Sequence, residues 1–420
     1  MAASRPDRAA ITALCEATLR ENWREGTRQS DGTGFGYTRP SPRHYPWQWF
    51  WDSCFTSIVW RRFDRGRSER ELRSLLAAQR PDGFIGHTIF WDLPLRGARR
   101  FTYNVTSPGA AMTASIQPPI LAWAWRIAVG DPAREPAILR YHDWLDNHRD
   151  LDGDGLIWIV QPDESGLDAS PQFDAIWGSE SHGRPGFVRL VRRNRRLGYD
   201  LHRVLAAGGP VCCEVMTNVL HNLSRLALGR PSLTPAIIER MYDREAGLFW
   251  PLTRPAASRS PALTWAALAP LALPDLPQDI GRRLVEEYLL DRSRFWLPVA
   301  PPSVAASEPA FSTRDRGLIG PRRYWRGPTW VNSAWLLWLG LVRLGYDEPA
   351  RAMAAALADA VAQQGVREYY GPFDGRGMGS REFAWSTLIL EMLEPVPEAA
   401  GSYLGAGSGA LSGLGDGSNA

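Results

Sequence analysis

Lysine is absent from the 420 residues, and all 48 basic side chains are arginine. This reads as compositional bias and carries no chemistry. Cysteine is scarce. Cys15, Cys54, Cys212 and Cys213 show neither metal-ligand spacing nor a disulfide framework, which fits a reduced cytoplasm. No apolar run approaches the roughly eighteen residues a membrane helix needs, and the polar start Met-Ala-Ala-Ser-Arg-Pro lacks the apolar core of a secretion signal. The expectation is a cytoplasmic protein with no membrane partner. A basic excess is also missing. The formal charge is only +3, and the six arginines between Arg189 and Arg203 read as a solvated helix face, so no nucleic-acid partner is expected.

What the sequence has instead is tryptophan, nineteen of them, far more than a core needs. The stretch Tyr45-Pro-Trp-Gln-Trp-Phe-Trp-Asp-Ser-Cys-Phe55 sets Trp47, Trp49, Phe50 and Trp51 beside one carboxylate, Asp52. Sugars suit such a pairing, because their C–H faces stack on indole while their hydroxyls donate to carboxylate. An aromatic-rich helix start explains the stretch equally well in isolation. Two further stretches favour the carbohydrate reading: Tyr324-Trp-Arg-Gly-Pro-Thr-Trp330 and Arg381-Glu-Phe-Ala-Trp385.

Helical periodicity dominates the chain. It predicts helices over Asp7–Arg28, Asp52–Phe63, Ile120–Ala128, Pro132–Arg149, Phe187–Ala206, Cys212–Ala227 and Thr234–Met241. Further helices are expected over Pro261–Leu271, Gln278–Leu290, Trp330–Leu344, Pro349–Gln364 and Ser380–Leu393, and Ser68-Glu-Arg-Glu71 reads as a capping box. Strand signals are few. About a dozen paired helices, joined by long Gly/Pro/Trp-rich loops, imply an all-α (α/α)6 barrel with its long loops gathered at one mouth. Residues 1–398 form the expected single domain, and the Gly/Ser-rich residues 399–420 an expected disordered tail. The turn Asp150-Leu-Asp-Gly-Asp154 looks like the front of a calcium loop. Gln161 stands where the bidentate glutamate belongs, so it reads as a plain turn, and no metal or cofactor is expected.

Two distant loops carry carboxylates: Asp163-Glu-Ser-Gly-Leu-Asp168 and Arg367-Glu368-Tyr-Tyr370. Two such groups meeting among tryptophans are the minimum apparatus of a glycoside hydrolase. Together with Trp51–Phe55, Tyr324–Trp330 and Phe383–Trp385, in this order, they resemble glycoside hydrolase family 63, most closely its bacterial mannosylglycerate and glucosylglycerate hydrolases, and more remotely the family 37 trehalases. The resemblance runs from about Tyr45 to Leu393.

That resemblance implies an (α/α)6 barrel and an inverting α-glycosidase acting on a small α-glucoside or α-mannoside, a glucosylglycerate- or mannosylglycerate-type solute or a disaccharide. It implies Asp168 as general acid and Glu368 as general base. Tyr45, Trp49, Trp51, Asp52, His87, Gln117, Tyr324, Trp325 and Trp330 fall at its pocket positions, and Glu382 at a place beside the base where it orients water. The chain departs from the family in two places. Ala169 follows the acid where asparagine is common, and the insert Leu93–Ser107 replaces a loop that would face the aglycone. Inversion requires a protonated acid and an ionised base together, so Asp168 is expected in a place that raises its pKa, with Glu164 contributing, and Glu368 in a wetter one. Two other classes compete: a sugar epimerase or isomerase with histidine shuttles, for which His44 and His87 are the available residues, and a non-catalytic carbohydrate-binding protein.

Overall fold

The computed structural model describes residues 7–91, 105–107, 110–181, 184–256, 261–314 and 324–394. The expected tail and most of the Leu93–Ser107 insert lie outside these residues.

Six helical segments form a closed inner ring: Phe50–Trp60, Leu121–Ala128, Val215–Ala227, Trp265–Ala272, Val331–Arg343, and Ala384–Leu388 continuing as Ile389–Met392. Each packs on the next, and the last packs on the first. All of Phe50–Trp60 is buried, as are Val331 to Val342. A helix with no polar face is one enclosed on every side, and these are enclosed by the ring and by an outer layer. The outer layer consists of Arg65–Ala77, Pro136–Arg149, Thr234–Met241, Gln278–Arg283 with its continuation to Leu289, Asp347–Gln364 and Arg8–Asn22. Inner and outer helices alternate along the chain, so every inner helix points the same way. This is the (α/α)6 toroid, and the N-termini of its inner helices share one mouth.

Strands occur where the helical reading ran too far. The helix predicted to reach Arg28 ends at Asn22, and Trp23–Thr27 pairs antiparallel with Gly34–Thr38. Cys212 and Cys213 lie on a strand, Val211–Cys213, paired with Leu252–Arg254, and not on a helix. Arg367–Tyr370 pairs with Gly377–Arg381, where sequence suggested a loop and then a helix. Such short ladders are decided by distant partners and not by local propensity. The helix expected over Phe187–Ala206 breaks into Arg184–Arg196 and Leu201–Ala206 at Gly198 and Tyr199, both at positive φ. The capping box does not form. Asp64 caps the Arg65–Ala77 helix, Ser68 Oγ donates to the Ser57 carbonyl, and Glu71 is buried, accepting from Thr38 and Thr56.

The Asp150–Asp154 turn is held by its own carboxylates. Asp150 accepts the amides of Asp152, Gly153 and Gly155, while Asp152 and Asp154 pair with Arg240, and Asp152 also with Arg254.

Two inner helices touch at Gly340, where an added Cβ would stand 2.5 Å from Leu271 Cβ and 2.8 Å from the Leu271 carbonyl oxygen. Gly340→Ala is therefore expected to wedge the ring and cost about 1–3 kcal/mol of stability. Urea unfolding checks it: the midpoint should fall at an unchanged slope.

Candidate active site

A helix start leaves backbone N–H groups without intrahelical acceptors. At the Phe50–Trp60 helix the residue before it, Trp49, offers no side-chain cap. Acceptors arrive from two other segments. The His87 carbonyl takes the Phe50 amide at 3.0 Å, and Gln117 Oε1 takes the Trp51 amide at 3.0 Å. With its oxygen so committed, Gln117 turns its NH2 to His87 Nε2 at 2.8 Å. This network assigns the His87 proton to Nδ1. Burial pushes the His87 pKa down to about 3. A neutral imidazole with one nitrogen already accepting a hydrogen bond is poorly suited to shuttle protons at neutral pH, which argues against the isomerase reading.

Asp52 follows in the first turn and is 3 % exposed. Burial holds its carboxyl well above the usual range; its own backbone amide opposes the shift, and the charges of Glu368, Glu71 and Asp168 add to it. Asp52 is thus the group that feels both expected catalytic carboxylates. Its neutral form, donor as well as acceptor, is favoured.

The loop carrying Asp168 is rigidly seated. Glu164, fully buried, forms a two-pronged pair with Arg149 at 2.7 and 2.8 Å and accepts the amides of Ile116 and Val160. Breaking a buried pair of this kind costs about 3–5 kcal/mol. Gly166, at φ +71°, lies flat on Trp51, whose ring would be 2.6 Å from an added Cβ. Asp168 is partly exposed, and the next residue, Ala169, is left-handed at φ +62°. Asparagine adopts that conformation more readily than alanine, which costs on the order of 1–2 kcal/mol there, a physical reason for asparagine in this place. The Ala169 carbonyl accepts from Arg326 Nε at 2.7 Å. The negative neighbour expected of Asp168 was Glu164. Glu164 is matched by Arg149, and the neighbouring Asp163 has its carboxyl raised by burial first, then by the charges of Asp168 and Glu164.

Glu368 sits on the short strand Arg367–Tyr370 at a shift in register with Gly377–Arg381, the kind of bulge that re-aims a side chain. Its Oε1 accepts from the Tyr324 hydroxyl and from the Tyr45 hydroxyl at 3.2 Å, and its Oε2 from the Ser380 amide at 2.7 Å. Three donors thus converge on its two oxygens. The expected wetter setting is not found: Glu368 is fully buried. Solvation is replaced by two phenols and an amide. The strand is tied to the Tyr324–Trp330 segment through paired bonds between Thr329 and Tyr370 at 2.9 Å.

Aromatic rings wall the space between. Trp325 and Trp330 stack at 3.9 Å and 8°, Trp265 lies beyond Trp325 at 6.3 Å, and Trp51 is 6.4 Å from Trp325. Trp49 meets His87 and Tyr45 edge-on, at 4.9 and 5.6 Å. The structure thus brings together Tyr45, Trp49, Trp51, Asp52, His87, Gln117, Tyr324, Trp325, Trp330, Asp168 and Glu368. Trp325 and Trp330 are both almost wholly buried. Glu382 is half-buried, at φ +48°, with its carbonyl accepting from Asn22 at 2.7 Å; among the described residues no hydrogen bond joins it to Glu368. Arg326, Gly379 and Ser380 were not singled out from sequence. Arg326 had a signal, as the cation inside the Tyr-Trp-Arg-Gly motif. An open cleft of about 640 Å³, lined by Thr234, Ile238, Tyr242 and Asp275 among others, shares no residue with this constellation.

Residues 45–386 match the family described as "Mannosylglycerate hydrolase MGH1-like glycoside hydrolase domain". The mannosylglycerate hydrolase of Rubrobacter radiotolerans is 29 % identical, over 84 % of this chain and 92 % of that protein. The glucosylglycerate hydrolase of Mycolicibacterium hassiacum is 26 % identical over 84 % and 93 %. The family 63 mannosylglycerate hydrolase of Thermus thermophilus, solved with Tris and D-glycerate, superposes with a TM-score of 0.71 at 27 % identity, covering 90 % of this chain and 99 % of that one.

Gly379 lies at φ +66°, and an added Cβ would fall 2.6 Å from Glu368 Oε2. Gly379→Ala is expected to displace that carboxylate by a fraction of an ångström or more and to lower kcat about a hundredfold, with the helical fold retained. Steady-state kinetics beside circular dichroism checks it.

Proposed function

Because the chain belongs to the mannosylglycerate hydrolase-like glycoside hydrolases, enzymes that cleave glucosides or mannosides of small solutes, we propose that it hydrolyses an α-linked glucosylglycerate, mannosylglycerate or disaccharide with inversion, Asp168 serving as general acid and Glu368 as general base. One observation carries this reading. Tyr324 donates to the Glu368 carboxylate while Arg326, two residues on, donates to the backbone carbonyl of Ala169, the residue after Asp168, so one short segment ties Glu368 to the turn that carries Asp168, two hundred residues away in sequence.

In this reading the sugar lies against Trp325 and Trp51, with Asp52 bonded to its hydroxyls. Asp168, on the partly exposed side, gives its proton to the glycosidic oxygen as the C–O bond breaks. Glu368 accepts a proton from a water that attacks the anomeric carbon from the opposite face. Its fourth lone-pair position remains for that water once Tyr45, Tyr324 and Ser380 have taken three. Room for water between base and sugar requires the two carboxyl groups to stand roughly 6.5–9.5 Å apart. The aromatic enclosure removes other water and strengthens every charge interaction on an oxocarbenium-like state. An enclosed site suits one sugar with a small aglycone, cleaved from the non-reducing end.

No described helix is long and apolar enough to cross a membrane. Four unpaired, buried cysteines fit a cytoplasmic setting.

Asp168→Asn and Glu368→Gln, which keep shape but remove proton transfer, are each expected to lower turnover of glucosylglycerate or mannosylglycerate by about a hundredfold or more. Sugar release measured alongside melting temperature tests this. Near wild-type kcat in a folded variant would remove that residue from its role, and failure to cleave any of these substrates would remove the substrate class.

A further inference from the structure

Arg326 is 8 % exposed and spends its guanidinium on two partners at once. Its Nε donates to the Ala169 carbonyl at 2.7 Å, and one terminal nitrogen donates to both oxygens of Asp174 at 2.6 and 2.8 Å. Asp174 Oδ1 is held in turn by the Ser181 hydroxyl at 2.7 Å. The carbonyl gripped is that of a left-handed alanine, and Asp168 immediately precedes it. The turn directly after Asp168 thus has a conformation that alanine disfavours, and an external donor holds it. On the other side of the same tripeptide, Tyr324 holds Glu368.

Building on Asp168 as acid and Glu368 as base, we propose that Arg326 is a positioning residue for the general acid: it locks the Ala169 turn, and the Tyr324-Trp325-Arg326 segment thereby sets the separation of acid and base. A fork of five donors in one plane suits this task and an ammonium does not. Trp325, between the two arms and clamped by Trp330 and Trp265, keeps the segment from flexing.

A misplaced acid harms only reactions in which the leaving group must be protonated. Fluoride departs as an anion and needs little such help, whereas the alkoxide of a glycerate or sugar aglycone needs it fully. The test compares Arg326→Met, Asp168→Asn and Glu368→Gln on a natural α-glycoside and on the matching α-glycosyl fluoride. Arg326→Met is expected to lower kcat on the glycoside about tenfold to a hundredfold and on the fluoride by less than about threefold, the pattern of Asp168→Asn, while Glu368→Gln loses both. Equal losses on the two substrates in Arg326→Met, with a selective loss in Asp168→Asn, would overturn the role of Arg326 alone. Equal losses in Asp168→Asn would overturn the acid assignment itself, and this role with it. Should Arg326→Met not fold, Arg326→Lys, which keeps the charge toward Asp174 but not the planar fork, carries the same comparison.

Discussion

Six parallel inner helices present six sets of unpaired backbone N–H groups at one mouth, and the need to satisfy them organises the site. At the first helix the acceptors are the His87 carbonyl and Gln117, each borrowed from a loop that starts elsewhere. At the third, Glu214 caps the Val215–Ala227 helix through Thr217 and accepts from Gln172, which in turn accepts from Thr264 at the start of the fourth. Loops recruited in this way are fixed relative to one another, and they are the loops bearing the aromatic and acidic residues. The positive ends of the helix dipoles also converge there, a setting that favours the carboxylates lodged in it.

Burial and charge act against each other in this mouth. Burial raises the carboxyls of Asp52, Asp163 and Glu214, and that of Glu71 to about 8 despite its threonine donors. Two nearby arginines are committed to other partners than Asp168 and Glu368. Arg149 is consumed by Glu164 and Arg326 by Asp174 and a backbone carbonyl, so both act as frame. Glu368 is left to phenol and amide donors. Burial therefore favours the neutral form of Asp52, Asp163, Glu71 and Glu214.

The sequence made the toroid legible because most of the enclosed inner helices are rich in apolar residues, and Trp330–Leu344 was placed to within a residue at each end. It was misleading where hydrogen bonds run to distant partners. Ser68 and Glu71 have the spacing of a capping box, yet their side chains reach Ser57, Thr38 and Thr56. The strand bearing Glu368 has no local signal at all, since its partner and the Thr329 bonds define it. Tryptophan beside carboxylate singled out Trp51 and Trp325, whose rings the fold sets 6.4 Å apart, and Asp52, which follows Trp51 in the first turn of its helix. That Glu164 would be matched by an arginine fifteen residues upstream was not legible, because the pairing is made by the fold and not by local spacing.

In the proposed mechanism Asp168 and Glu368 stand on opposite faces of the scissile bond, held apart by the Tyr324–Arg326 segment. Proton NMR of the purified protein with an α-linked glucosylglycerate or mannosylglycerate reads this from the first product. The β-anomer of the freed sugar should appear first, with the α-anomer growing in only at the rate of mutarotation; initial release of the α-anomer would contradict the account.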